Sequence, residues 1–280
     1  MAQRVRVGSG EIAYERTGVA GDPVVLVHGG WDDRSTWDRA VGGLAVAFQV
    51  LSYDRRGHGD SPGRPAAGAV RADAADLAEL LEATGLHPAH LLAQGYGAAP
   101  ALTLALERPE LVRGIALHEP PFFGLAPEIV TAEAEAPGGE TLGARWRRTI
   151  GLAASGRSEN AAAEFLELVG APTERWGRRA PDDRARFSRA AATWGREMSD
   201  PEASDPPRSL LRGIPVPVLV SSGGDSPEPT RAVNDRLVIE LPNATSVRLH
   251  EGGHFVQRTD PDLWVGVVGG FLLERNVPPT

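Results

Sequence analysis

Five short runs rich in valine, leucine and isoleucine, at 24–27, 48–53, 89–93, 111–117 and 216–221, are separated for the most part by amphipathic helical patterns. Short buried strands that alternate with helices call for a parallel sheet covered on both faces, an α/β chain. Over 71–84, Leu77, Leu80, Leu81 and Thr84 recur at i, i+3, i+4 and i+7, and Gly85 supplies the stop. The alternation breaks after Leu117. From about 120 to 208 the patterns are helical only, at 145–154, 161–169 and 182–198, with Pro181 in a first-turn position followed by Asp182 and Asp183. Residues 131–143 read as a mobile loop and 199–208 as a return linker. The expected organisation is a core of residues 1–119 and 210–280 interrupted by a helical insertion at 120–209.

Composition removes several function classes. The chain has 280 residues and no cysteine, so disulfides, thiolate catalysis and thiolate metal ligation are excluded. All 29 basic residues are arginine, which rules out a Schiff-base lysine and a P-loop. With 37 acidic residues the net charge is -8, which disfavours nucleic acid as a partner. The first seven residues alternate like a strand and lack the apolar core of a signal peptide, and runs such as 98–106 fall short of the roughly 20 residues needed to cross a bilayer. The expectation is a cytoplasmic protein with no membrane partner.

Several loops at strand ends carry chemistry-bearing residues, where an open α/β sheet binds its ligands. His28-Gly29-Gly30-Trp31 follows the first buried run, and its glycines let the backbone approach a ligand. The 53–61 loop, YDRRGHGDS, contains His58, which reads as part of a hydrogen-bonded tight loop rather than as a base. The segment 90–99, HLLAQGYGAA, reads as a buried strand, a tight turn and a helix start, the context of a G-x-S-x-G nucleophile elbow, with glycine where the serine belongs. Gly224-Asp225 follows a later strand, and Gly252-Gly253-His254-Phe255 lies near the end.

The order and spacing of these segments strongly resemble the α/β-hydrolase fold family over nearly the whole chain. The 117–121 run LHEPP and the helical insertion resemble its esterase, epoxide-hydrolase and haloperoxidase-like branch. The resemblance implies a mostly parallel eight-stranded sheet with a helical cap inserted after the sixth strand, and a nucleophile–acid–histidine triad. Its positions here are Gly95, Asp225 and His254. The oxyanion hole would be formed by the amides of Gly30 or Trp31 and of Tyr96. Glu119 is a second candidate to orient His254, or else a polar cap on the pocket wall. His28, Gly29, Glu119, Phe122, Phe123, Trp146, Trp176 and Trp194 are candidates to line a large apolar pocket for a small organic substrate. No metal-ligand spacing and no dinucleotide fingerprint is present in the sequence, so no cofactor is expected.

Three readings of the missing hydroxyl remain open. His254 could act as general base directly on substrate or water, serving non-covalent hydrolysis of a carbonyl, lactone or epoxide-like substrate, or elimination, isomerisation or cyclisation. The chain could be a serine esterase or lactonase inactivated by glycine at position 95, or a silent ligand-binding homologue. The further departures at Ala93 and Pro100 favour a native glycine.

Overall fold

The structure, a computed structural model, describes residues 2–8, 10–63, 70–132, 139–171 and 176–274, so the middle of the loop expected at 131–143 lies outside the described residues. Eight strands form one sheet: β1 (Gln3–Val7), β2 (Gly10–Thr17), β3 (Pro23–Val27), β4 (Gln49–Tyr53), β5 (Ala89–Gln94), β6 (Val112–His118), β7 (Val218–Ser222) and β8 (Ala244–Arg248). Their spatial order is β1-β2-β4-β3-β5-β6-β7-β8. β2 pairs antiparallel with β1 and β4, and the remaining pairs are parallel.

The strand residues sort by the twofold side-chain period. Val25, Val27, Leu51, Leu91, Ala93, Ile115 and Leu117 face α1 (Val70–Thr84) and α2 (Ala98–Glu107). Val24, Leu26, Val50, Leu92, Ala116 and Leu219 pack in a second core layer with Trp37, Leu44, Phe48, Trp264 and Phe271. Both faces are therefore covered, which is why these strands read as continuous apolar runs.

Between β6 and β7 the described residues form helices and turns but no strand. The longer ones are α3 (Leu142–Ala154), α4 (Ser158–Leu168) and α5 (Pro181–Glu197). They are held over the strand ends by apolar contact and by a buried ion-pair cluster. Arg55, just past β4, donates from Nη1 to Asp73 Oδ2 at 3.1 Å on α1 and to Glu197 Oε1 at 2.5 Å on α5. Its Nε and Nη2 also hold the carbonyls of His28 and Gly29 at 3.1 and 3.0 Å. One guanidinium thus ties the insertion, the first helix and the 28–30 turn together, with every partner desolvated.

Removing one member of such a cluster leaves two carboxylates buried without their cation. Arg55→Ala is expected to lower unfolding free energy by about 3–5 kcal/mol, whereas Arg71→Ala, whose exposed side chain bridges Glu107 and Glu202, stays close to neutral. Urea titrations of both variants provide the comparison.

Candidate active site

β5 ends at Gln94, a single turn spans Gly95–Gly97, and α2 begins at Ala98. Gly95 has φ +54, the left-handed conformation that glycine adopts without steric cost. A Cβ at this position would lie 3.6 Å from both Cε1 and Nε2 of His254 and 3.8 Å from Gly29 Cα, ordinary contact distances. The tight strand–turn–helix is therefore intact, and the space in front of the imidazole has room for a side chain.

His254 is 8% exposed, and its Nδ1 lies 3.0 Å from Glu119 Oε2. Glu119 follows β6 directly and is, among the described residues other than glycine, the one with positive φ, at 49°. Its other oxygen, Oε1, accepts from Gly223 N at 2.8 Å and from the Ser226 hydroxyl. Burial by itself would push this carboxyl up, but the His118 and His254 rings and the Ser226 hydroxyl outweigh it and hold Glu119 down at about 2. Glu119 is thus a buried carboxylate. As an acceptor it keeps the imidazole proton on Nδ1 and leaves Nε2 as the acceptor nitrogen, next to the hollow at Gly95.

The expected pairing of His254 with Asp225 is replaced by this one. Asp225 is exposed, and its carboxylate accepts from Gly252 N at 3.0 Å while its own N–H donates to Gly252 O at 2.9 Å. It braces the turn that carries His254. The Glu119 side chain, reaching from the adjacent strand end, already fills the place beside Nδ1.

A cavity of about 30 Å³ lies between these groups, lined by Gly29, Gly30, Trp31, Gln94, Gly95, Tyr96, Trp146, Phe165, Trp194 and His254, among others. Among the described residues no acceptor takes the backbone N–H of Gly30, Trp31 or Tyr96. The cavity is apolar, as expected, but small. Its aromatic walls close on one another, with Trp31 centroids 4.7 Å from Trp194 and 5.2 Å from Phe165, and Trp146 5.6 Å from Trp194. A wider opening of about 750 Å³, edged by Asp225, Glu251 and Asp260, reaches His254 from outside.

Several expected lining residues sit elsewhere. His28 is buried beneath the turn, where its Nε2 accepts from Arg55 N at 2.9 Å. Phe122 is fully buried in the core. Phe123 stacks edge-on against Trp146 at 4.8 Å and faces a separate cavity of about 220 Å³ within the insertion. Trp176 packs on Phe187 at 6.5 Å and borders a surface depression with Leu152 and Glu164. Gln94 was not anticipated: its Nε2 lies 2.7 Å from His254 Nε2. Its position immediately before Gly95 was the available signal, but alternation alone does not say that a strand-end glutamine turns toward the histidine. Among the described residues no three His, Asp or Glu side chains are grouped to hold a metal ion, and no helix is long and apolar enough to cross a membrane.

A family model described as alpha/beta hydrolase fold matches residues 22–261, and the chain belongs to that family. It is 27% identical over 252 residues to a putative carbamate hydrolase, RutD, of Enterobacter cloacae, covering 85% of this chain and 86% of that protein. The RutD of Azorhizobium caulinodans is 32% identical over 110 residues, 39% of this chain and 41% of that protein. The matched regions span 30%, 41% and 40% of the length of three curated relatives. A crystal structure of an alpha/beta hydrolase from Sphaerobacter thermophilus superposes with a TM-score of 0.75 at 29% identity, covering 96% of this chain and 100% of that one.

His58 has the supporting role that its loop suggested. Its Nε2 donates to Gly30 O at 3.0 Å, under the turn that lines the cavity. Burial, then the Arg55 charge, lowers its pKa from 6.5 to about 3, and the same two causes lower His28 well below 6.5. Both rings are neutral when folded and take up protons on unfolding, so their stabilisation is complete above pH 6.5 and lost as pH falls toward about 3 for His58. Urea midpoints are expected to fall between pH 7 and pH 4, with a shallower decline in His58→Gln, which has no ring to protonate.

Proposed function

We propose that this chain is a cofactor-independent hydrolase of small, uncharged carbonyl compounds, esters, carbamates or lactones, in which His254 acts as general base on water and no acyl-enzyme forms. The reading is carried by one juxtaposition: a carboxylate-braced imidazole faces the empty Cβ position of Gly95, at 3.6 Å, beside unpaired amide N–H groups. A cavity of about 30 Å³ accommodates water-sized molecules when polar partners are present. Organic substrate enters as the aromatic side chains of α3–α5 move apart. The carboxylates of Asp225, Glu251 and Asp260 at the wider opening disfavour anionic substrates.

In this mechanism water occupies the Gly95 hollow and attacks the carbonyl carbon while His254 Nε2 takes its proton. Glu119 stabilises the imidazolium through Nδ1. The developing oxyanion is received by N–H groups of Gly30 or Trp31 and of Tyr96. As the tetrahedral intermediate collapses, His254 returns the proton to the leaving group. The likeness to proteins named as carbamate hydrolases supports carbonyl substrates, and the peptide donors suit an oxyanion. Without a serine or carboxylate at position 95, the water itself is the attacking group.

Hydrolysis of a panel of p-nitrophenyl esters, aryl carbamates and lactones tests this reading. Glu119→Gln and His254→Ala are each expected to reduce turnover by about 10³–10⁴-fold, while Asp225→Asn stays within about tenfold, the size expected for a turn brace worth one hydrogen bond. Unchanged turnover in His254→Ala would overturn the assignment. Absence of a pre-steady-state burst in the unaltered chain distinguishes direct water attack from a covalent route.

A further inference from the structure

Once Glu119 holds the Nδ1 proton, the neutral ring of His254 has a single lone pair, and in this structure it is occupied. Gln94 Nε2 lies 2.7 Å from His254 Nε2 and 3.2 Å from His254 O. Both partners are acceptors, so the nitrogen of the carboxamide, and not its oxygen, faces them. The oxygen lies over Gly29, where a Cβ would come within 2.4 Å of Gln94 Oε1. Glycine at position 29 therefore makes room for the carboxamide. Glycine at position 95 contributes no side chain to compete with the Gln94 amide for that Nε2, its own Cβ site being 3.6 Å away. A hydroxyl attached there and the Gln94 amide would compete for one lone pair.

We propose that Gln94 is a positioning residue that occupies the base in the resting protein. Its amide keeps Nε2 in the acceptor state beside the Gly95 hollow. Water, or any other nucleophile, reaches Nε2 after that amide swings away. The inference rests on His254 being the base, as proposed above. It has a consequence that reading lacks: placing serine at position 95 is insufficient to build a fast nucleophile while Gln94 is present.

The experiment compares Gly95→Ser with the double variant Gly95→Ser/Gln94→Leu, measuring the rate of labelling by a fluorophosphonate. Serine Oγ attacks phosphorus, the P–F bond breaks, fluoride leaves and the serine proton passes to His254. The double variant is expected to label at least about tenfold faster, the effect of removing one competing hydrogen bond of ordinary strength. Equal rates in the two variants overturn the role of Gln94 and leave the base intact. Labelling in neither folded variant overturns the assignment of His254 as base, and this inference with it. A second measurement needs no serine: ¹⁵N spectra of the His254 ring in the unaltered chain and in Gln94→Leu. The Nε2 resonance is expected to move toward that of an acceptor nitrogen without a donor while the Nδ1 proton stays in place. An unmoved Nε2 resonance overturns the proposal, because the ring nitrogen reports the hydrogen bond itself and not the packing around it.

Discussion

A buried carboxylate must be surrounded by donors, and Glu119 recruits three of them from two separate stretches of chain. Gly223 N comes from the end of β7, the Ser226 hydroxyl from the following turn, and His254 from the loop after β8. The left-handed backbone of Glu119, φ 49°, costs on the order of 1–3 kcal/mol for a residue with a side chain. The pairing network offsets that cost because an unpaired carboxylate in the same place would cost more. The strain also aims the side chain sideways, toward β7, instead of onward into the insertion. The imidazole's direction and its tautomer follow from that one turn.

The sheet was legible wherever strands are buried on both faces. The five apolar runs fall within two residues of β3–β7, because a two-sided burial requirement writes continuous valine and leucine into the sequence. β2 carries Glu11 and Arg16 on exposed positions and a half-buried Glu15, and β8 is an edge strand with mostly exposed residues. Neither offers the same run. The helices of the insertion were legible within about three residues from their periodicity, and Pro181 does begin α5.

Within the site, local motifs located Gly95, His254 and the 28–31 turn, because each depends on glycines or on a strand end. Distinguishing Glu119 from Asp225 did not depend on local sequence. Both follow strands, and both are acidic. The difference lies in tertiary direction: one carboxylate is buried with three donors, and the other is exposed and bound to a neighbouring turn. Gln94 and the separation of Phe122, Phe123 and Trp176 from the cavity are likewise matters of side-chain direction, which hydrophobic period does not encode.

The turn at Gly95 shapes the cavity without a side chain of its own. By reversing sharply from β5 into α2, it places Tyr96 in the cavity lining near a helix start, where peptide dipoles favour negative charge. A serine in the same backbone would bear a left-handed cost of about 1–2 kcal/mol, worth bearing when its oxygen attacks substrate. Glycine removes that cost and leaves the turn unchanged. Under the proposed mechanism, the cost-free glycine is the residue expected of a site whose attacking group is a water molecule.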